Sequence, residues 1–135
     1  MRRRSLNFAE IKSVDAAQVR RCADEYARRL LATHPEAEEV IVFGSFADGT
    51  YAPGSDLDVF ILLREASEPV RERVPHFLPA NFPVPMDVFP FTRAEIERLT
   101  GSPLLAAVAR SDWRYPDCSP AWGKLATTPR ADFRT

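Results

Sequence analysis

The stretch VIVFGSFADGTYAPGSDLDVFILL, residues 40–63, constrains the fold more than any other part of the chain. Val40 to Phe43 is a short, continuous apolar run rich in β-branched residues, which predicts a buried strand feeding directly into Gly44. Asp56 to Leu63 predicts the next strand. The two-residue period puts Leu57, Val59, Ile61 and Leu63 on one face and Asp56, Asp58, Phe60 and Leu62 on the other, so both aspartates point the same way.

This pattern carries chemistry as well as structure. Gly44 and Ser45 lie where a strand turns into a short helix, so backbone N–H groups and a hydroxyl face outward at a place suited to phosphate, and glycine permits the close approach. Asp56 and Asp58 sit one strand period apart. Like charges this close are unfavourable unless a cation lies between them, and hard carboxylate oxygens select magnesium or manganese. A third strand is expected over Val84 to Phe89, with Pro85 pointing to an edge position or an entry bend. Asp87 falls in its apolar middle, where an unpaired carboxylate is costly to bury, and it is the candidate third ligand. A Gly–Ser turn or a Ser–Asp pair alone is ordinary loop chemistry. The combination carries the inference.

The remaining elements are mostly helical. Asp15 to Thr33 predicts the clearest helix, with Val19, Cys22, Ala23, Tyr26, Ala27 and Leu30 as one apolar stripe, Asp15 and Gln18 as a capping pair, and Pro35 beyond its end. Its charged outer face reads as a solvated surface. Ser67 is the expected N-cap of a helix that Pro75 kinks or shortens, with Val70, Val74, Phe77 and Leu78 on one side. Thr92 with Glu95 is a capping box for a helix over Arg93 to Leu99, and Ser102–Pro103 opens another that runs to about Arg110. Trp113 and Tyr115 predict a final short strand.

At 135 residues the chain fits one domain, divided here into an arm (1–14), a body (15–115) and an aperiodic, proline-containing tail (116–135). A net charge of −1 gives no global attraction to nucleic acid or to an anionic membrane. The basic start MRRR precedes no apolar run of signal-peptide or membrane-spanning length, which makes a cytoplasmic location the expectation. Cys22 and Cys118 are too few for a disulfide scaffold, and His34 and His76 complete no zinc spacing.

GSFADGTYAPGSDLD with Asp87 downstream resembles the signature of the DNA polymerase beta-type nucleotidyltransferase superfamily, and the small size is most similar to its minimal nucleotidyltransferase group. Many members of that group are antitoxins paired with HEPN-domain toxins. The resemblance spans roughly Asp15 to Tyr115 and implies an α+β fold, a small mixed sheet backed by helices with the active site at the sheet edge. Carried over, Gly44 and Ser45 would hold the β- and γ-phosphates of a nucleoside triphosphate, expected to be ATP, and Gly49 would close the short helix. Asp56 and Asp58 would hold both Mg2+ ions, with Mn2+ as a substitute. Asp87 would bind the catalytic metal and help deprotonate the attacking hydroxyl, leaving a nucleoside monophosphate on the acceptor.

Tyr51, Pro53 and Ser55 are loop candidates for contact with base or acceptor. Many relatives carry arginine where this chain has Asp48, and an acid there would repel the triphosphate. Arg64, Arg71 or Arg73 would replace that charge if the segment after the second strand folds back over the site. Three function classes follow. One is a nucleotidyltransferase acting on a partner protein, another an antitoxin working mainly by binding, and the third a small-molecule enzyme of the aminoglycoside-modifying sort. A homodimer would supply the missing acceptor wall in the last case. Without a basic template-binding domain, stable nucleic-acid binding is not expected.

Overall fold

The computed structural model describes residues 15–116. The arm, the tail beyond Pro116, Cys118, Trp122 and Phe133 lie outside the described residues. Helix α1 (Ala16–Thr33) leads into strand β1 (Ala37–Phe43), followed by the single turn α2 (Ser45–Asp48), β2 (Leu57–Leu63) and α3 (Val70–Phe77). Strand β3 (Met86–Thr92), helices α4 (Arg93–Arg98) and α5 (Pro103–Arg110), and the short β4 (Arg114–Tyr115) complete the order. The four strands form one mixed sheet in the order β3-β2-β1-β4. β1 is antiparallel to both β2 and β4, and β2 is parallel to β3. The α+β architecture expected from the sequence is the one observed.

Central strands β1 and β2 are apolar on both faces, so each face needs cover. On one face Val40, Val42, Leu57, Val59, Ile61 and Leu63 pack with Val19, Ala23, Ala27 and Leu30 of α1 and Phe77 of α3. On the other, Ile41, Phe43, Phe60 and Leu62 meet Ile96 of α4 and Leu105 and Val108 of α5. The caps hold as sequence chemistry dictates. Asp15 accepts from the Gln18 amide, Thr92 and Glu95 form the reciprocal capping box, and Ser102 accepts from the Leu105 amide ahead of Pro103.

Three local expectations need correction. Ser67 is not the N-cap of α3: Pro69 holds that position with no side-chain cap, and Pro75 lies inside a helix that ends at Phe77. β1 begins at Ala37, three residues before the apolar run, because the acids of its first half find partners. Glu39 is buried at 1% exposure with Arg114 at 3.4 Å, and Glu38 meets Arg93 at 2.7 Å and Arg64 at 3.4 Å. β3 starts at Met86 and continues through Pro90 to Thr92. An outer strand tolerates this proline, since β3 is hydrogen-bonded only to β2.

Candidate active site

Strand register assembles the site. Phe43, the last residue of β1, stands opposite Asp58 on the antiparallel neighbour, and Asp58 is level with Asp87 on the parallel one. Gly44 follows Phe43 and so passes directly beside the Asp58 side chain. A Cβ built on Gly44 would lie 2.3 Å from Asp58 Oδ2, and the backbone there has φ 81° and ψ −154°, a region essentially closed to other residues. Only glycine fits, on both counts.

From Gly44 the chain enters α2, whose first amides have no partner inside the helix. The Ser45 hydroxyl makes no hydrogen bond to another described residue. Gly49 closes the turn as a left-handed cap at φ 82°, its N–H donating to the Ser45 carbonyl, as the family resemblance implied. The loop then reverses at Ala52–Ser55, with proline second and Gly54 third at φ 87°, the arrangement of a type II turn. Ser55 serves that turn. Its Oγ accepts from the Ala52 N–H at 2.8 Å and its own N–H donates to the Ala52 carbonyl. Tyr51 stacks flat on the buried Phe46 with centroids 4.7 Å apart, so its ring is spent on packing.

The three carboxylates influence one another. Partial burial, then the charges of Asp87 and Asp56, push Asp58 up to about 6. Asp87 is also raised, first by desolvation, then by the charge of Asp56 and a hydrogen bond to it. Asp56 and Asp58 are half-buried. Asp87 is not in an apolar interior as expected: it is exposed, the second residue of an outer strand. What relates it to the other aspartates is register with Asp58.

In donor type the set suits a hard cation, since it consists of three neighbouring carboxylates with mutual repulsion and no nitrogen or sulfur ligand. It is not a closed cage. Among the described residues no group of three or more histidine, cysteine, aspartate or glutamate side chains is arranged to hold a metal ion.

Two of the arginines expected over the site, Arg64 and Arg73, are elsewhere. Arg73 is 6% exposed and forms a two-pronged pair with Glu95 at 2.8 and 2.7 Å, while also donating to the carbonyls of Pro90 and Glu68. That network pins α3 to the far end of β3. Arg64 follows the end of β2 and bridges to Glu38 near the start of β1. Neither reaches the carboxylate end. A cleft of about 670 Å³, lined by His34, Glu65, Ser67, Arg73 and His76, also lies at this far end. Convergence of the carboxylates, not concavity, locates the site.

The nucleotidyltransferase domain family matches residues 23–110, which holds α1 from its third turn through α5 and every carboxylate of the site. A crystal structure from Sulfolobus solfataricus, provisionally described as that of a nucleotidyltransferase, is 28% identical with a TM-score of 0.49, over 62% of this chain and 75% of that one. No curated protein matches the sequence. No helix among the described residues is long and apolar enough to cross a membrane. The family match covers well over half of the chain, and the protein belongs to the nucleotidyltransferases of polymerase beta type.

Proposed function

We propose that this chain transfers a nucleoside monophosphate, AMP from ATP, to a hydroxyl on a partner protein, and that the partner is a HEPN-type toxin which the transfer silences. The observation that carries the transfer reading is the close approach of Gly44 to Asp58 Oδ2, with Asp58 level with Asp87. It sets the Gly44–Ser45 turn against neighbouring carboxylates at one end of the sheet, the arrangement on which the reading rests.

Asp56 and Asp58 would hold both Mg2+ ions, and Asp87 would complete the shell of one. When bound, the ions neutralise the phosphate oxygens and lower the barrier to in-line displacement. The chain's own residues do the rest. Bare amides after Gly44 and the Ser45 hydroxyl orient the β- and γ-phosphates. Asp87, exposed at the sheet edge, takes the proton of the incoming hydroxyl as that oxygen bonds to the α-phosphorus. The bond to the bridging oxygen breaks, and pyrophosphate departs with the electron pair from the Gly44–Ser45 side.

The acceptor assignment is supported by where Asp87 stands. It opens outward from an outer strand, so an acceptor would be oriented by a surface brought from outside, and orientation supplies much of the rate in such reactions. The small, single-sheet body agrees with the minimal group in which toxin partners occur. Co-purification with the product of the neighbouring gene, followed by magnesium and each triphosphate in turn, tests this. A mass gain of one nucleoside monophosphate on the intact partner is the expected result. No complex and no gain, with robust transfer to an aminoglycoside, would replace the protein acceptor by a small molecule.

A further inference from the structure

Strand β3 is the last of the sheet on the side of Asp87, and the two halves of its outer edge differ. The Leu57 amide donates to the Pro85 carbonyl, which, with Leu57 level with Met86 in a parallel ladder, turns the backbone groups of Asp87, Phe89 and Phe91 toward β2. Met86, Val88, Pro90 and Thr92 therefore present theirs outward. The far half is sealed. Pro90 has no N–H, its carbonyl accepts from Arg73 at 2.9 Å, and the Thr92 N–H donates to the Glu95 carboxylate at 2.8 Å.

The half beside the candidate active site is open. Among the described residues the outward N–H and C=O groups of Met86 and Val88 have no hydrogen-bond partner, and the exposed Asp87 stands between them. Pro85 and Pro90 bound this stretch, which leaves no room for a long strand to pair with it. What it matches is one short extended segment. In antiparallel pairing Met86 and Val88 would each exchange two hydrogen bonds with such a segment. Asp87 would then face the residue between them in a pair without hydrogen bonds, where Cα atoms approach to about 4.5 Å and side chains share a face of the sheet.

Resting on the transfer reading above, we infer that the Met86–Val88 edge docks an extended segment of the acceptor protein by strand addition, with a serine or threonine opposite Asp87. Cβ atoms across such a pair lie about 4.5–5.5 Å apart. A short hydroxyl and an aspartate close that span to hydrogen-bonding distance, whereas a tyrosine oxygen at the end of its ring overshoots it. Main-chain bonds hold the segment without dictating its other side chains, so backbone setting selects the acceptor residue. Its oxygen bonds to the α-phosphorus, its proton passes to Asp87, and pyrophosphate leaves with the electron pair.

The probe is the blocked pentapeptide acetyl-Lys-Val-Ser-Val-Lys-amide, given to the full chain with magnesium and ATP and compared with acetyl-serine-amide. Backbone amide exchange, followed by NMR with a non-hydrolysable ATP analogue, should slow about tenfold at Met86 and Val88 when the peptide is added, and stay unchanged at Asp87 and Phe89, which already bond to β2. Transfer to the peptide should exceed transfer to acetyl-serine-amide about tenfold in kcat/KM. Methylating the nitrogens of both valines, whose N–H groups would face β3, should abolish both effects. Methylating the serine nitrogen, which would face away, should abolish neither. Equal behaviour of all the peptides, or transfer without slowed exchange at Met86 and Val88, overturns the inference and leaves the transfer reading standing. Faster transfer to the tyrosine counterpart overturns the choice of a short hydroxyl. Slowed exchange at both amides with no transfer to any hydroxyl sinks the transfer reading and keeps the docking edge.

Discussion

Replacing Gly44 by alanine isolates the contact on which the site is built. The new Cβ would sit 2.3 Å from Asp58 Oδ2, where ordinary van der Waals contact begins at 3.4 Å. It would also hold an L-residue at φ 81° and ψ −154°. Backbone strain of this kind costs about 1–3 kcal/mol, and forcing the carboxylate aside in a packed ladder adds a further ~1–3 kcal/mol. The two costs can be separated. In an Asp58→Ala background the nearest remaining atom of residue 58 is its Cβ at 3.5 Å, an ordinary contact, so only the backbone part survives. Urea unfolding of the parent, both single variants and the double variant therefore yields a coupling of about 1–3 kcal/mol. Identical costs for Gly44→Ala in both backgrounds would refute the placement of Gly44 against Asp58. A total below about 0.5 kcal/mol, the range of inconsequential surface changes, would refute the backbone geometry as well.

Neutralising Asp58 should stabilise the ligand-free protein. Its native-state pKa of about 6 exceeds its ordinary value, so the native form binds more protons than the unfolded one and stability falls as pH rises toward 6. After discounting for solvent screening, Asp58→Asn should gain about 1 kcal/mol at pH 7 and little at pH 4, read from urea midpoints at both pH values. Glu95→Gln should cost about 3–5 kcal/mol at neutral pH by leaving Arg73 buried without its counter-charge. Because Arg73 holds Glu95 down to about 2, this contribution is full above the ordinary carboxylate range and lost as pH falls toward 2. The gap between parent and variant should close with it. Asp48→Arg should tighten triphosphate binding by roughly 1.5–3 kcal/mol through a charge-assisted contact, and unchanged affinity by calorimetry would show that Asp48 does not face the phosphates.

Local signals proved the most legible. Capping at Asp15, Thr92 and Ser102 follows from neighbours three residues apart, and the alternation in β2 correctly sorts Leu57 from Asp58. Long-range pairing was not. Glu39 looks like a strand breaker until Arg114 arrives from 75 positions away, and Arg73 looks like a surface charge until Glu95 claims it. Asp87 was found through the apolar run around it, yet what gives it meaning is its level with Asp58 across a parallel ladder. Sequence spacing within one strand carries a residue's face, whereas register between strands depends on the loops and turns that join them.

The most direct test of a nucleotidyl transfer site at this sheet end is calorimetric unfolding of the parent and of Asp56→Asn/Asp58→Asn, each with and without magnesium and ATP. Ligand that binds only the native state at a hundredfold excess over Kd adds about 2.7 kcal/mol. The parent Tm should rise accordingly. The double variant, stable without ligand, should show no such rise, and a rise equal to the parent's would contradict the assignment of these carboxylates.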